Sequence, residues 1–330
     1  MPSFSFEDIP DLQGRVAIVT GGTSGIGEVC VRELARKGCR VYLFARNQGR
    51  AEEAIKRMHE HSKDIKGEIT YMQCDTSDFE SVQTAVQQFK SQQDRLDILI
   101  NNAGIMAVPY SVNKDGIEIQ QATNAVGPAI LTVLLLDVLV RTARQTAGKY
   151  SVRIVQTSSS AEYLLGAGPP KHSWDSLEQI NREKKSTWTR YGQSKVANVL
   201  LSKELSRILA KENICNVSLD PGGVKTGLQA HSKMDPKMGV ARWLVSTVLP
   251  YMLVSPDKGA LSSLYAATST NLNDVEKYNG LHLAPGAKHS TAAKHSQNQQ
   301  FSQSFMQFVK STAKKSINVD LDQEIEHAKQ

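Results

Sequence analysis

No apolar run in this 330-residue sequence reaches the ~20 residues needed to cross a bilayer. The stretch that tests this, GVARWLVSTVLPYMLV at 239–254, is interrupted by Arg242 and Pro250, and an internal proline breaks a helix. Two readings stay open for it: a lid or buried helix over an apolar site, or a segment resting on a membrane or lipid-droplet surface. Cysteine is scarce too. Cys30, Cys39, Cys74 and Cys215 form no CxxC and no regular framework, which argues against a disulfide scaffold. The first thirteen residues lack the positive start and apolar core of a signal peptide. The expected setting is therefore reducing and cytoplasmic, with a lipid-droplet or endoplasmic-reticulum surface as the alternative. Lysine and arginine exceed the acids by 39 to 33, but the net charge of +6 is spread along the chain. With no basic block and no zinc-finger spacing, nucleic acid is not an expected partner. His289 and His295 lie in a repeated AKHS without acidic or cysteine neighbours. They read as part of a solvated loop, and no metal is expected.

What is present is a regular alternation. RVAIVT (15–20), VYLFA (41–45), EITYMQC (68–74), LDILIN (96–101), RIVQTS (153–158) and ICNVSL (214–219) are strand-type runs, and helix-periodic segments separate them. One such helix is expected over 48–61 and a long apolar one from about 116 to 143. Strands alternating with helices predict an α/β fold: a doubly wound parallel sheet of about seven strands, with helices on both faces, in a single domain. Its body spans 1–285, and loops near 160–190 and 228–254 are placed to contact substrate. Residues 286–330 read as a polar loop, then one amphipathic helix from about Phe301, then a charged end.

TGGTSGIG (20–27) follows the first strand, with Gly21, Gly25 and Gly27 in a GxxxGxG spacing. Glycines there allow a tight turn and close approach to a pyrophosphate at a helix start. The second strand ends in Ala45, Arg46 and Asn47. An NAD site wants an acid near this point for the ribose 2′-hydroxyl, whereas Arg46 suits a 2′-phosphate, so NADP(H) is expected over NAD(H). Asp75, after the third strand, is placed to accept a hydrogen bond from the adenine amine. In RYGQSK, Tyr191 and Lys195 are one helical turn apart and share a face.

TGGTSGIG, NNAG at 101–104, the serines after the fifth strand, YGQSK at 191–195 and PG at 221–222 occur in this order. The set resembles the classical short-chain dehydrogenase/reductase family over roughly residues 12–285. The resemblance implies that Tyr191 is the general acid/base and that Lys195, with the positive nicotinamide of the oxidised cofactor, lowers its pKa and holds the nicotinamide ribose. It implies that Ser159, with Ser158 as fallback, hydrogen-bonds the substrate oxygen, and that Asn124 holds a water linking the lysine to solvent. Cofactor contacts carried over with it are Gly21, Thr23, Ser24, Gly25, Ile26 and Gly27 in the first loop, and Asp75 and Thr76 after the third strand. Asn102, Ala103 and Gly104 line the adenosine side, and Pro221, Gly222, Val224 and Thr226 clasp the nicotinamide carboxamide.

The chain departs from simple members of that family in the long spacer between Ser159 and Tyr191, which carries Trp174 and Trp188. That feature is similar to retinol dehydrogenases, WW-domain oxidoreductases and protochlorophyllide reductases, and to their fungal relatives. Leu164, Leu165, Trp243, Leu244, Val248, Tyr251 and Met252 give the substrate loops an apolar character. The expected activity is NADP(H)-dependent interconversion of a carbonyl and an alcohol on a lipophilic small molecule. Reduction of a carbon–carbon double bond and a catalytically silent nucleotide-binding or lipid-surface protein are the alternatives. A homodimer through the helices flanking Tyr191 is the oligomer the resemblance implies.

Overall fold

Apolar residues on both faces of each strand build the sheet. In the first strand, Val16 and Ile18 enter one core and Ala17 and Val19 the other, because successive side chains on a strand point to opposite faces. The computed structural model describes residues 4–164, 174, 176–183, 185–225 and 253–330. Its strands are β1 (Val16–Thr20), β2 (Arg40–Ala45), β3 (Ile69–Gln73), β4 (Ile98–Asn101), β5 (Val152–Thr157), β6 (Ile214–Leu219), β7 (Leu281–Ala284) and β8 (Lys288–Ser290). They form one sheet of eight strands in the order β3-β2-β1-β4-β5-β6-β7-β8. The first seven run parallel, and β8 pairs antiparallel with β7 at an exposed edge.

Helices cover both faces. On one side lie α1 (Gly25–Arg36), α2 (Gln48–His61) and the helix Pro256–Thr268. On the other lie α3 (Phe79–Gln92), α5 (Gly127–Leu134), α6 (Leu136–Thr146) and α9 (Thr187–Ile208), with the short helices α7 (Ala161–Leu164) and α8 (Leu177–Asn181) preceding α9 in the chain. The chain winds outward from β1 to β3, then returns to place β4 on the other side of β1. The crevice at that reversal is where doubly wound sheets bind ligands.

The structure differs from the sequence reading in three elements. The long helix over 116–143 is divided: a turn α4 (Ile119–Gln121), a π-helical segment Ala122–Val126, then α5 and α6. The axis bends by 57° at Leu135, whose N–H is shared between Leu131 O and Thr132 O at 3.2 Å each. Thr132 also turns its hydroxyl back onto Pro128 O at 2.7 Å, a bond that bends helices. Second, the expected charged end is a helix, Leu321–Lys329, capped by Asp320 and burying Leu321, Ile325 and Ala328. Third, the expected solvated loop is partly interior, with Ala292, Ala293 and Ser296 buried. The helix Gln299–Ile317 places Phe305, Met306 and Val309 in the same core as Ile18 and Leu201. No single helix among the described residues is long and apolar enough to cross a membrane.

Candidate active site

Three strand ends meet α9 to make the site. Tyr191 and Lys195 lie on one face of α9 and are both buried, at 6% and 4% exposure. The Lys195 ammonium is 5.7 Å from the Tyr191 ring centroid and donates to Thr157 O, the last carbonyl of β5, at 2.9 Å. Ser159 stands near the Tyr191 phenol and acts to lower its pKa, and its Oγ accepts from Ala161 N at 3.2 Å. Ser158 turns the other way. Its hydroxyl donates to Lys195 O at 2.8 Å and is buried, which leaves Ser159 as the serine facing Tyr191.

Asn124 sits within the π-helical segment, a distortion frequent at functional sites. Its Oδ1 accepts from Ile105 N at 2.8 Å, and its Nδ2 donates to Ile105 O and Ser194 Oγ at 2.9 Å each. A Cβ on Gly104 would lie 3.2 Å from Asn124 Oδ1 and 3.6 Å from Lys195 Nζ. The NNAG loop, the π segment and α9 thus converge on one point.

The glycine loop lies across the sheet crevice. Gly21 and Gly25 hold φ of +68° and +59°, the left-handed region that favours glycine. A Cβ on Gly27 would sit 2.3 Å from Gly21 O, so any side chain there collides with backbone. Thr20 Oγ1 accepts from Asn102 N and Ala103 N at 3.0 and 2.9 Å, joining the loop ends of β1 and β4. Ser24 precedes α1 without a side-chain capping bond, leaving the helix-start N–H groups to a ligand. Thr23 and Ile26 complete this loop, and Thr23 O accepts from Arg57 at 3.1 Å. Arg46 is exposed and pairs with no carboxylate among the described residues. Asp75 Oδ1 accepts from both Ser77 N and Ser77 Oγ, and Thr76 beside it is buried. Gly222 has φ of +81° next to Pro221, and Val224 bridges to Val254.

The short chain dehydrogenase family model matches residues 15–168. An uncharacterized oxidoreductase of Schizosaccharomyces pombe is 41% identical over 282 residues, which is 86% of this chain and 80% of the relative. This chain belongs to the short-chain dehydrogenase/reductase family. The reductase drtF of Aspergillus calidoustus is 36% identical over 87% of the chain and 89% of its own length. Human polyprenol dehydrogenase is 36% identical over 81% and 76%. Among solved structures, an uncharacterized protein from Mycobacterium paratuberculosis superposes with TM-score 0.69 at 28% identity, covering 94% of this chain and 98% of that one. The NADPH-bound carbonyl reductase from chicken fatty liver has TM-score 0.59 at 22% identity, covering 85% and 100%, and speaks for the fold alone. The chain is a short-chain oxidoreductase on a nicotinamide-binding fold.

In this short-chain dehydrogenase/reductase the electrostatics depart from expectation at one point. Burial pushes the Tyr191 phenol up to about 12; Ser159 opposes this and the charge of Asp220 adds to it. Burial also pulls Lys195 down to about 8, against the attraction of Asp220. The expected lowering of Tyr191 by Lys195 is thus absent from the protein alone. The ammonium points at Thr157 O, and desolvation of both groups dominates.

Asp220 is the neighbour that the sequence reading missed. It is buried, its own carboxyl raised by that burial, and it accepts from Gly222 N at 2.9 Å and from Ser160. Its signal was an acid immediately before Pro221. Trp174, counted with the pocket-wall segment, instead packs in the core against Phe301 and Phe305, whereas Trp188 meets the Tyr191 ring edge-on at 6.3 Å. Thr226, Leu165, Trp243, Leu244, Val248, Tyr251, Met252 and the side chain of Leu164 lie outside what the structure describes.

Proposed function

We propose that this protein is an NADP(H)-dependent oxidoreductase that interconverts a carbonyl and an alcohol on a lipophilic small molecule. The observation that carries the reading is a buried Tyr191 phenol, with Ser159 as a neighbour that acts to lower its pKa and Lys195 one helical turn away at the carboxyl edge of the sheet. The bound nicotinamide supplies the hydride in reduction and accepts it in oxidation. Tyr191 Oη gives its proton to the carbonyl oxygen in reduction, and a phenol held protonated by burial is in the right state to do so. Ser159 Oγ–H donates a second hydrogen bond to that oxygen, which steadies the negative charge developing on it. Lys195, with one proton on Thr157 O, has others for the ribose hydroxyls, and its charge favours the phenolate left behind. Asn124 closes the polar path from Lys195 toward solvent.

Gly21, Gly25 and Gly27 fit a dinucleotide pyrophosphate, since each position excludes or disfavours a side chain. Arg46, exposed beside Ala45 with no acid at the strand end, supports a 2′-phosphate and hence NADP(H). The relative named for a polyprenol supports a lipophilic substrate. We place the protein in the cytoplasm, with a lipid-droplet or endoplasmic-reticulum surface as the alternative.

Fluorescence titration with NADPH and NADH, followed by absorbance assays with lipophilic ketones and aldehydes, tests this. NADPH is expected to bind at least about tenfold tighter than NADH, a difference of about 1.4 kcal/mol, and Arg46→Asp to reverse the order. Tyr191→Phe is expected to abolish turnover with NADPH affinity within a few-fold. Turnover retained in Tyr191→Phe, or equal affinity for both dinucleotides, overturns the corresponding part.

A further inference from the structure

The first turn of a helix is its weakest part, because its N–H groups have no partner within the helix. Tyr191 stands close to the start of α9, only four positions after Thr187. Something outside α9 has to fix it. Three side chains from the start of the Asn124 segment reach across. Gln120 Nε2 donates to Thr187 O at 3.2 Å, and Gln121 Nε2 donates to Arg190 O at 3.4 Å. Glu118 pairs with the Arg190 guanidinium at 3.2 Å. Glu118, Gln120, Gln121 and Arg190 are all at 2% exposure or less.

The same residues also hold the loop on the other side. Glu118 Oε2 caps α4 by accepting from Gln120 N and Gln121 N at 3.0 Å each. Gln120 Oε1 accepts from Ala107 N at 2.8 Å; Ala107 has φ of +52°, a conformation an alanine keeps only when its surroundings impose it. Two positions earlier, Asn124 grips Ile105 through its N–H and its carbonyl. Arg190 in turn donates to Glu183 O and Lys185 O, and its guanidinium lies 5.3 Å from the Tyr110 ring centroid. One fully buried polar cluster thus ties together the tyrosine turn, the asparagine bulge, the loop after NNAG and the end of the inserted segment.

We propose that Glu118, Gln120, Gln121 and Arg190 are positioning residues that clamp the Tyr191 turn of α9 against the Asn124 segment and the 105–107 loop. None of the four is placed against the reacting atoms. Their effect is on where Tyr191 Oη and Asn124 stand relative to each other. Burial of a charged pair is weak evidence for net stability, but the fixed geometry of a guanidinium and two amides gives a unique register. The clamp rests on the reductase reading for its catalytic consequence, though not for its mechanics.

Two variants separate those levels. Gln120→Met cuts the bonds to Thr187 O, Ala107 N and Glu118 Oε1 with nearly the same volume and leaves Glu118 paired with Arg190. Arg190→Lys keeps the charge beside Glu118 but cannot span both carbonyls. Both are expected to melt cooperatively and to bind NADPH within about threefold of wild type. Turnover of a carbonyl substrate should fall by about tenfold to a hundredfold in kcat, as expected for a small misplacement of a reacting group, with KM nearly unchanged.

Amide hydrogen exchange read by mass spectrometry gives the activity-independent test. Protection should fall together at 187–191 and 105–107 in both variants and stay unchanged in β1 and β4. Folded variants with wild-type kcat, or kcat falling only in step with NADPH affinity, overturn the catalytic role. Exchange that rises at one segment alone overturns the clamp. A wild-type protein with no carbonyl turnover counts against the reductase reading, and the exchange data then decide the clamp on their own.

Discussion

Tyr191 and Lys195 are each displaced from their ordinary protonation by the same cause, removal from water. Burial lowers Lys195 from 10.5 to about 8. Below that value the folded pocket holds a buried ammonium that the unfolded chain leaves hydrated. The contribution of this group to stability is therefore lowest at neutral pH and recovers as pH climbs from about 8 toward 10.5. Tyr191, pushed up to about 12, acts in a higher window: the stability it gives is present below the ordinary phenol range and is lost as pH rises through 12. Replacing the lysine by an isosteric apolar residue separates the two. Lys195→Met is expected to raise the melting temperature of the ligand-free protein near neutral pH, equivalent to about 1–3 kcal/mol. The gain should shrink toward about pH 10. Melting curves across that range check it, and a lower melting temperature for the variant near neutral pH would mean that the bond to Thr157 O outweighs desolvation. Stability given up at a site that needs a buried cation is the usual trade between folding and activity.

Element by element, the distortions gather where the chemistry is expected. The long apolar helix is interrupted by a π segment holding Asn124, and just past it Gly127 starts α5. A Cβ on Gly127 would fall 1.8 Å from Thr76 O, so α5 enters by touching the backbone after β3. Gly127→Ala is therefore expected to cost about 3 kcal/mol, read by urea denaturation. The same shift should weaken NADPH binding, because Thr76 belongs to the proposed adenine side. Unchanged stability would show that α5 slides away freely. The bounds of α2 were legible in the sequence, and the structure adds Asn47 as its cap, accepting from Arg50 N. The π segment was not, because ATNAVGPAILTVLLLDVLV carries an apolar pattern that suits a straight helix. Within the interruption Asn124 bonds to Ile105 and Ser194, far apart in sequence.

Across the whole molecule, the C-terminal 299–330 segment completes the core. Phe305 is fully buried and meets Trp174 edge-on at 6.0 Å ring separation, which also anchors the inserted segment that precedes Tyr191. Phe305→Ala should cost about 3–5 kcal/mol and, through Trp174, loosen the inserted segment that precedes Tyr191. Denaturant unfolding and carbonyl turnover check both effects, and a loss of stability without any change in turnover would confine Phe305 to packing. The helix Gln299–Ile317 packs along α9.

Alternation of β-branched runs with amphipathic helices was enough to specify the sheet and its winding, because burial on both faces leaves a period that can be counted along the chain. The glycine loop, Arg46, Tyr191 and Lys195 were legible for the same local reason: each sits at a strand end or one helical turn from its partner. Ser159 was preferred to Ser158 on the resemblance, but the physical reason, a Ser158 hydroxyl committed to Lys195 O across the α9 interface, exists only in the folded chain. The same holds for Asp220 beside Lys195, and for the pairing of Glu118 with Arg190, 72 positions away. Buried polar groups find partners wherever the folded chain brings them together, and spacing along a sequence carries no record of that meeting.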